Sequence, residues 1–281
     1  MVKIFGALAL KELIQRRSIF ESLQKRENMN TTIDLYRRAE DYFFRGIASK
    51  CLDLGNKANA YMTASAGLNF IYIKKTDDLE DTLINGKEFF AIDKYAFDVF
   101  IPQELCTPQI ETILNKLGYS NIDSSVAMML CLDSALVYTN LSPDGEITIL
   151  SNDNQLSEWM RPLIGAFEST FEVCLNYAKL HENALKKNIN LRHFSLYKLG
   201  EPIATITLSL INDVARIDDL GTLPEFQGKG YASILMRYVL LEAKKLGARY
   251  CFLESSASGL KVYQKLGFES LFENNIYSRK S

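Results

Sequence analysis

Residues 227–232 read Gln-Gly-Lys-Gly-Tyr-Ala and stand between a strand-like apolar run, Val214 to Thr222, and a helical run from about Gly230 to Leu246. No other stretch limits the fold so sharply. Glycines at 228 and 230 let the backbone take positive φ and approach a ligand with no Cβ in the way. The first turn of the helix has N–H groups without intrahelical partners and the positive end of the helix dipole, so the unit is an anion site. Lys229 adds a mobile positive charge. Ile234, Leu235, Tyr238 and Leu241 fall on one helical face, Lys244 and Lys245 suit its C-terminal end, and Gly247 stops it.

Three phosphate-loop readings compete on these residues. A P-loop needs Lys and then Ser or Thr after its last glycine, and Gly230 is followed by Tyr231. A dinucleotide fingerprint is two-thirds present, with Ser233 in place of its third glycine and Glu254 available as a ribose-binding acid. Against it, only about 50 residues follow the loop, too few for the rest of a doubly wound sheet. A plain glycine turn between strand and helix stays open.

Downstream lies a second segment, Gly259-Leu260-Lys261-Val262-Tyr263-Gln264-Lys265-Leu266-Gly267-Phe268. Together the two resemble the GNAT superfamily of acyl-CoA N-acyltransferases. Its loop reads [Arg/Gln]-x-x-Gly-x-[Gly/Ala], supplied here by Gln227, Gly230 and Ala232 after Thr222, Pro224 and Glu225, and a family helix ends in Tyr-x-Lys-Leu-Gly-Phe. The clear match covers about Ala215 to Ser270. The resemblance implies acetyl-CoA (coenzyme A) as co-substrate, no metal, and acetyl transfer to a primary amine by direct attack in a ternary complex. It implies that the backbone of Leu220, Gly221 and Thr222 pairs with the pantetheine arm, while Gln227, Gly228, Lys229, Gly230, Tyr231 and Ala232 cradle the pyrophosphate. Ser256 stands where many relatives carry asparagine, a shorter hydrogen-bonding group in the same place.

Tyr263 is the implied acid for the departing thiolate; a phenol near pKa 10 and a thiol near 8.5 differ by roughly 2 kcal/mol, within reach of a positioned group. On the residues alone it could equally be a core aromatic in line with Leu260 and Leu266. Asp218 is the implied base, acting through water. Strand alternation sets Asp218 on the face of Leu220 and Thr222, and Asp219 on that of Ile217 and Gly221. A non-catalytic acyl-CoA-binding module is the alternative from another class.

Composition narrows the partners. The chain of 281 residues carries a net charge of −2 with no long Lys/Arg block, which argues against nucleic acid. Five scattered cysteines without a C-x-x-C pair, and only two histidines, read as a reduced, cytoplasmic, metal-free protein. The apolar stretch Ile4 to Leu10 is short and runs into Lys11, Arg16 and Arg17, which reads as an amphipathic helix. No apolar run approaches the roughly 20 residues of a membrane span. The acceptor is then a small-molecule or peptide amine; a homodimer is left open. Trp159 reads as a core anchor rather than a pocket wall, His181 as solvated among Glu182, Asn183 and Lys186, and His193 as a strand opener with no visible carboxylate partner.

A turn cluster at Pro143, Asp144 and Gly145 marks a seam. The expected division is an α+β domain over 1–145, with 1–28 as a helical extension or a mis-assigned start before Met29, and a GNAT-like domain over 146–281. Lys116-Leu117-Gly118-Tyr119 in the first half echoes Lys265-Leu266-Gly267-Phe268 in the second, with glycine at a helix stop in both. That makes the first half a degenerate GNAT-like unit or a coincidence of helix endings. The fold class is α+β: a mixed, mostly antiparallel sheet flanked by helices, with helices at 33–49, 108–117, 156–168, 172–187, 230–246 and 258–266. Strands are expected at 69–74, 97–101, 126–132, 146–150, 192–198, 203–211, 214–222, 250–254 and 272–278.

Overall fold

A computed structural model of the protein describes residues 29, 31–63, 68–91, 93, 95–133 and 146–279. Residues 140–145 of the expected seam and the apolar stretch 4–10 lie outside them. The chain divides into two compact units, Met1–Arg38 and Ala39–Ser281. In the first, residues 31–38 are helical. No helix among the described residues is long and apolar enough to cross a membrane.

The second unit begins with helical residues 39–47 (α1) and continues as β1 (Lys50–Asp53), β2 (Ala58–Met62), β3 (Phe70–Ile73), α2 (Leu79–Ala91), β4 (Asp98–Pro102), α3 (Pro108–Lys116) and β5 (Tyr119–Cys131). Then come β6 (Ile147–Ser151), α4 (Leu156–Ala166), α5 (Phe171–Lys186), β7 (Leu191–Lys198), β8 (Glu201–Ile211), β9 (Val214–Thr222), α6 (Tyr231–Lys245), β10 (Tyr250–Ser255), α7 (Leu260–Lys265) and β11 (Glu269–Arg279). All these strands join one sheet in the order β1-β2-β3-β4-β11-β5-β10-β9-β8-β7-β6. The mixed, mostly antiparallel α+β sheet expected from the sequence is present, and both expected domains contribute to it.

Within that order the chain repeats itself. β3-α2-β4-α3-β5 and β9-α6-β10-α7-β11 are each a parallel strand pair joined through a helix, then a short helix and a long antiparallel strand. The echoed Lys-Leu-Gly-aromatic segments occupy the same place in both, between short helix and long strand, with Gly118 at φ 83° and Gly267 at φ 95°. The long strands then trade places: β11 inserts between β4 and β5, and β5 between β10 and β11. Neither half closes a sheet of its own.

Three elements of the first half escape sequence reading. β1 is a short edge strand, β2 is built largely of Ala and Asn, which have low strand preference, and α2 holds Gly86 in its interior. Gly86 has a packing reason, since a Cβ there would stand 3.1 Å from Ile71 Cδ1. β5 starts at Tyr119 rather than near 126, because its polar first half, exposed from Asn121 to Ser124, hides its pairing with β11. On α6 the buried stripe is Tyr231, Leu235, Met236, Val239, Leu240 and Ala243, rotated from the expected face.

β8 decides the chemistry of the interior. Its apolar residues Ala204, Ile206, Leu208 and Leu210 belong to the core that holds α6 and α7. The intervening Thr205, Thr207 and Ser209 are equally buried, on the side covered by α1, α4 and α5. With His193 and Ser195 of β7 opposite Thr207 and Thr205, they form a polar seam inside the protein. Alternation normally signals a strand with one wet face; here both faces are dry.

Candidate active site

β9 and β10 pair in parallel from Val214↔Tyr250 to Ile217↔Leu253 and then part. Beyond that point Asp218, Gly221 and Thr222 pair only with β8, and Glu254 and Ser255 only with β5, so a wedge opens between the two strands. Gly221 lets α4 lie close against one wall: a Cβ there would stand 2.9 Å from the Ala166 Cβ.

At the mouth of the wedge a 3-10 turn, Pro224–Phe226, leads into the glycine loop. Gly228 has φ 72° and Gly230 φ 86°, a region side chains disfavour, and a Cβ at either would meet nothing within 4 Å. Gln227, Gly228, Lys229 and Gly230 are exposed. Gly230 is the N-cap of α6, no side chain caps the helix, and its first turn holds no acid. Open space, free turn geometry and an uncapped helix start are what a phosphate group requires. Gln227 Nε2 donates to the Thr222 carbonyl at 3.0 Å and Lys229 Nζ to the Glu225 carbonyl at 2.8 Å, which stiffen the turn. Tyr231 faces inward, its hydroxyl accepting from Lys198 Nζ at 2.8 Å, and Ala232 is half-buried behind it.

Tyr263 lies on α7 with its ring edge-on to Phe268, centroids 6.0 Å apart. Burial, with Asp218 adding to it, pushes its phenol up to about 12, so the proton stays on at neutral pH. Ser256 follows β10 and is exposed, its hydroxyl 3.0 Å from that of Ser258. Glu254, the acid of the dinucleotide alternative, instead accepts from Ser125 and, at 2.8 Å, from Asn274 Nδ2. It ties β10 to β5 and β11.

The two aspartates depart from strand alternation. Asp219 takes φ 57° in a bulge where the register to β8 slips between Thr205 and Thr207. The extra residue turns Asp219 to the side of Asp218, toward α5, where it accepts from the Tyr177 hydroxyl at 2.9 Å. Both oxygens of Asp218 are engaged by Arg216, with Nε at 3.1 and 3.0 Å and a second nitrogen at 3.0 Å. Burial raises both carboxyls; Asp218 is partly offset by Arg216, whereas Asp219, which also feels Asp218, is pushed up to about 7. The bulge also frees the Ile206 carbonyl, which accepts the Trp159 indole N–H at 3.3 Å. Trp159 is fully buried, the core anchor expected.

Both histidines differ from their expected settings. His181 is fully buried, not solvated, because its helix turns that side onto the polar seam. His193 is fully buried too and has a carboxylate partner, Asp153, 3.0 Å from its Nδ1. No spacing joins Asp153, His181, His193 and Asp219 in sequence; only the bulge and the packing of α5 on β7 and β8 assemble them. The legible signal was the run of alternating Thr and Ser in β8.

Asp219 and Tyr177 also line a cavity of about 320 Å³ with Leu68, Leu163, Phe167 and Val173. Its walls are mainly apolar, and Leu68 comes from the first half of the chain. Among the described residues no group of three or more His, Cys, Asp or Glu is placed to hold a metal ion.

Strand order, wedge and glycine turn agree with the sequence relationship. Residues 156–268 match the model of the acetyltransferase (GNAT) family. It is similar in fold to a GCN5-related N-acetyltransferase from Kribbella flavida, at 13% identity and TM-score 0.58 over 88% of this chain and 95% of that one. A GCN5-related N-acetyltransferase from Sphaerobacter thermophilus gives 15% identity and TM-score 0.57 over 80% and 81%. A tandem GNAT protein from the clavulanic acid biosynthesis pathway gives 13% and 0.55 over 78% and 77%. Coverage of most of the chain in each case extends the likeness in fold to the first half. No curated protein matches the sequence.

Proposed function

We propose that residues 146–281 transfer an acetyl group from acetyl-CoA to a primary amine bound in the same complex. The observation that carries this reading is the turn at Gly228 and Gly230, two exposed left-handed glycines ahead of an uncapped helix at the open end of a parting strand pair. The GNAT family uses acetyl-CoA as co-substrate, and this turn fits its pyrophosphate. Gln227 to Ala232 hold the phosphates through backbone N–H groups, with Lys229 adding charge. The edge of β9 that faces the wedge, at Leu220, Gly221 and Thr222, suits main-chain pairing with the pantetheine arm. Ser256, at the end of β10 across the wedge, supplies a hydroxyl.

When bound, acetyl-CoA supplies an activated acyl carbon and a thiolate leaving group. Tyr263 holds a proton on Oη for that thiolate. From about 12 to a free thiol near 8.5 the transfer is uphill by roughly 5 kcal/mol, and burial that raises the phenol also raises a thiol beside it. Asp218, clamped by Arg216, acts on this step through its field rather than as a free base. The largely apolar cavity beside Asp219 supports an acceptor whose amine is carried on an apolar body.

Mixing the protein with acetyl-CoA and a panel of primary amines, and following free thiol, tests the reading; saturable turnover with amines on apolar bodies is the expected result. Saturable binding of acetyl-CoA with no thiol released from any amine would leave a non-catalytic acyl-CoA-binding module. Absence of binding in calorimetry would remove both.

A further inference from the structure

Resting on this reading, we propose that Asp219 takes the proton released by the acceptor amine, and that His181 and His193 carry it to the surface at Asp153. The base role expected of Asp218 thereby passes to its neighbour. Asp218 has both oxygens on a guanidinium, whereas Asp219 lines the cavity with 13% of its side chain exposed.

The two oxygens of Asp219 have different surroundings. Oδ1 accepts from Tyr177, while Oδ2 is sealed from solvent and has no hydrogen-bond partner. It points at His181 Nε2, 3.9 Å away, which is equally sealed and unpartnered, while the Thr207 hydroxyl, close by on β8, works to lower the Asp219 carboxyl. Buried polar atoms without partners are rare and costly. Two facing each other mark a position where a proton, or a small movement, completes the bonding.

From there the connections continue outward. His181 Nδ1 lies 2.8 Å from His193 Nε2, and His193 Nδ1 lies 3.0 Å from Asp153 Oδ1. Asp153 also accepts the His193 backbone N–H at 2.7 Å and is 30% exposed. Although burial pulls the Asp153 carboxyl up, these bonds from His193 hold it below the ordinary range, so it is ionised and an acceptor only. That settles every hydrogen. His193 carries its proton on Nδ1, so its Nε2 accepts; His181 then carries its proton on Nδ1, which leaves its Nε2 lone pair facing Asp219. All three links point the same way, from the cavity outward. Burial, with His193 adding to it, holds His181 well below its ordinary pKa, and burial also lowers His193, so both rings are neutral in the resting protein.

The proton balance is direct. An ammonium in the cavity loses its proton to the Asp219 carboxylate. Protonated Asp219 gives it to His181 Nε2, the Nδ1 proton of His181 passes to His193 Nε2, and the Nδ1 proton of His193 passes to Asp153 and then to water. Both rings end in the opposite tautomer and turn over before the next passage. Trp159 packs 4.7 Å from the His181 ring centroid and 4.9 Å from that of His193, and Phe43 lies 5.9 Å from His181, so aromatic rings surround the two imidazoles. A carboxyl near 7 is also a far stronger base than one near 4, which narrows the gap to an alkylammonium near 10.4. The charged and titratable groups facing it are Tyr177 and His181 from α5 and Asp218 and Arg216 from β9, with Thr207 opposite on β8.

With only two histidines in the chain, ring-nitrogen NMR of the histidine-labelled protein reads the path directly. Both rings should be neutral Nδ1–H tautomers at pH 7, the less common form in free histidine, and Asp219→Asn should move the His181 Nε2 signal. An Nε2–H tautomer on either ring overturns the proposal. In turnover, His193→Gln should lower kcat at pH 7 by about tenfold or more and recover toward high pH, where the amine arrives neutral, with acetyl-CoA affinity unchanged in calorimetry. Asp153→Asn, at a partly exposed side chain whose amide oxygen can still accept from the His193 backbone, should act in the same direction by less. Unaltered kcat and pH profile in both variants sink the relay alone; acetyl-CoA binding without thiol release from any amine sinks the transfer reading and removes the proton's source.

Discussion

After β9 the chain reaches α6 through two left-handed glycines; after β3, its counterpart, it reaches α2 through Lys74, Lys75, Thr76, Asp77 and Asp78. There Asp78 alone takes positive φ, at 59°, and its carboxylate meets Lys57 at 2.8 Å. α2 then carries Glu80 and Asp81 in its first turn, where α6 has no acid. Those carboxylates already meet the helix dipole and would repel a phosphate. The strands differ too. β3 ends one residue after its last partner on β4, so no wedge forms, and Phe70 packs on Phe100 with centroids 5.0 Å apart. Fully buried Leu114 stands where the second half has Tyr263. One topology thus has a closed turn in one half and an open turn in the other, and the difference lies in charge at a helix start and the parting of two strands.

Making the open turn resemble the closed one should have the largest effect. Gly230→Asp combines strain at φ 86° with a negative charge, and acetyl-CoA affinity in calorimetry should fall at least about a hundredfold. Unchanged affinity would show that the turn does not hold phosphate. Tyr263→Phe should lower kcat by about a hundredfold while leaving cofactor affinity within about twofold. In the closed copy, Leu114→Tyr should leave kcat alone and reduce stability by about 1–3 kcal/mol through overpacking.

A smaller effect concerns Asp219. Its folded pKa of about 7 lies above the ordinary 3.8, so its contribution to stability is fully present below pH 3.8 and is lost as pH rises through 7. Asp219→Asn removes that loss, and in urea unfolding the variant should gain about 2.5 kcal/mol more over wild type at pH 8 than at pH 5. Parallel pH dependence of the two proteins would remove the shift. Smallest of all, Lys229→Ala should weaken acetyl-CoA about threefold at low salt and scarcely at all at high salt, because the ammonium is exposed.

The second half was largely legible because its signals are local. A glycine pair before an amphipathic run specifies a helix start, and Lys-Leu-Gly-aromatic specifies a helix stop, whatever surrounds them. β1, β2 and α2 were not, since Ala, Asn and an interior Gly acquire their states from neighbours the sequence does not name. The same limit applied to the site. The residues of the glycine turn proposed to hold phosphate are contiguous, so sequence alone could single them out. Asp219 was assigned to the wrong face because a bulge cannot be read from alternation, and His181 because both faces of β8 are covered.

The exchange of β5 and β11 also sets the order in which a nascent chain can mature. On the ribosome the gap between β4 and β5 stays unfilled until β11, the last of these strands to be made, has emerged, and β10 has no partner beyond β9 until β5 reaches across to it. Completion of the first half's sheet therefore waits on translation of the second half. Such a gene cannot shed either half by deletion, since the surviving half would expose an open sheet edge to every other chain in the cell.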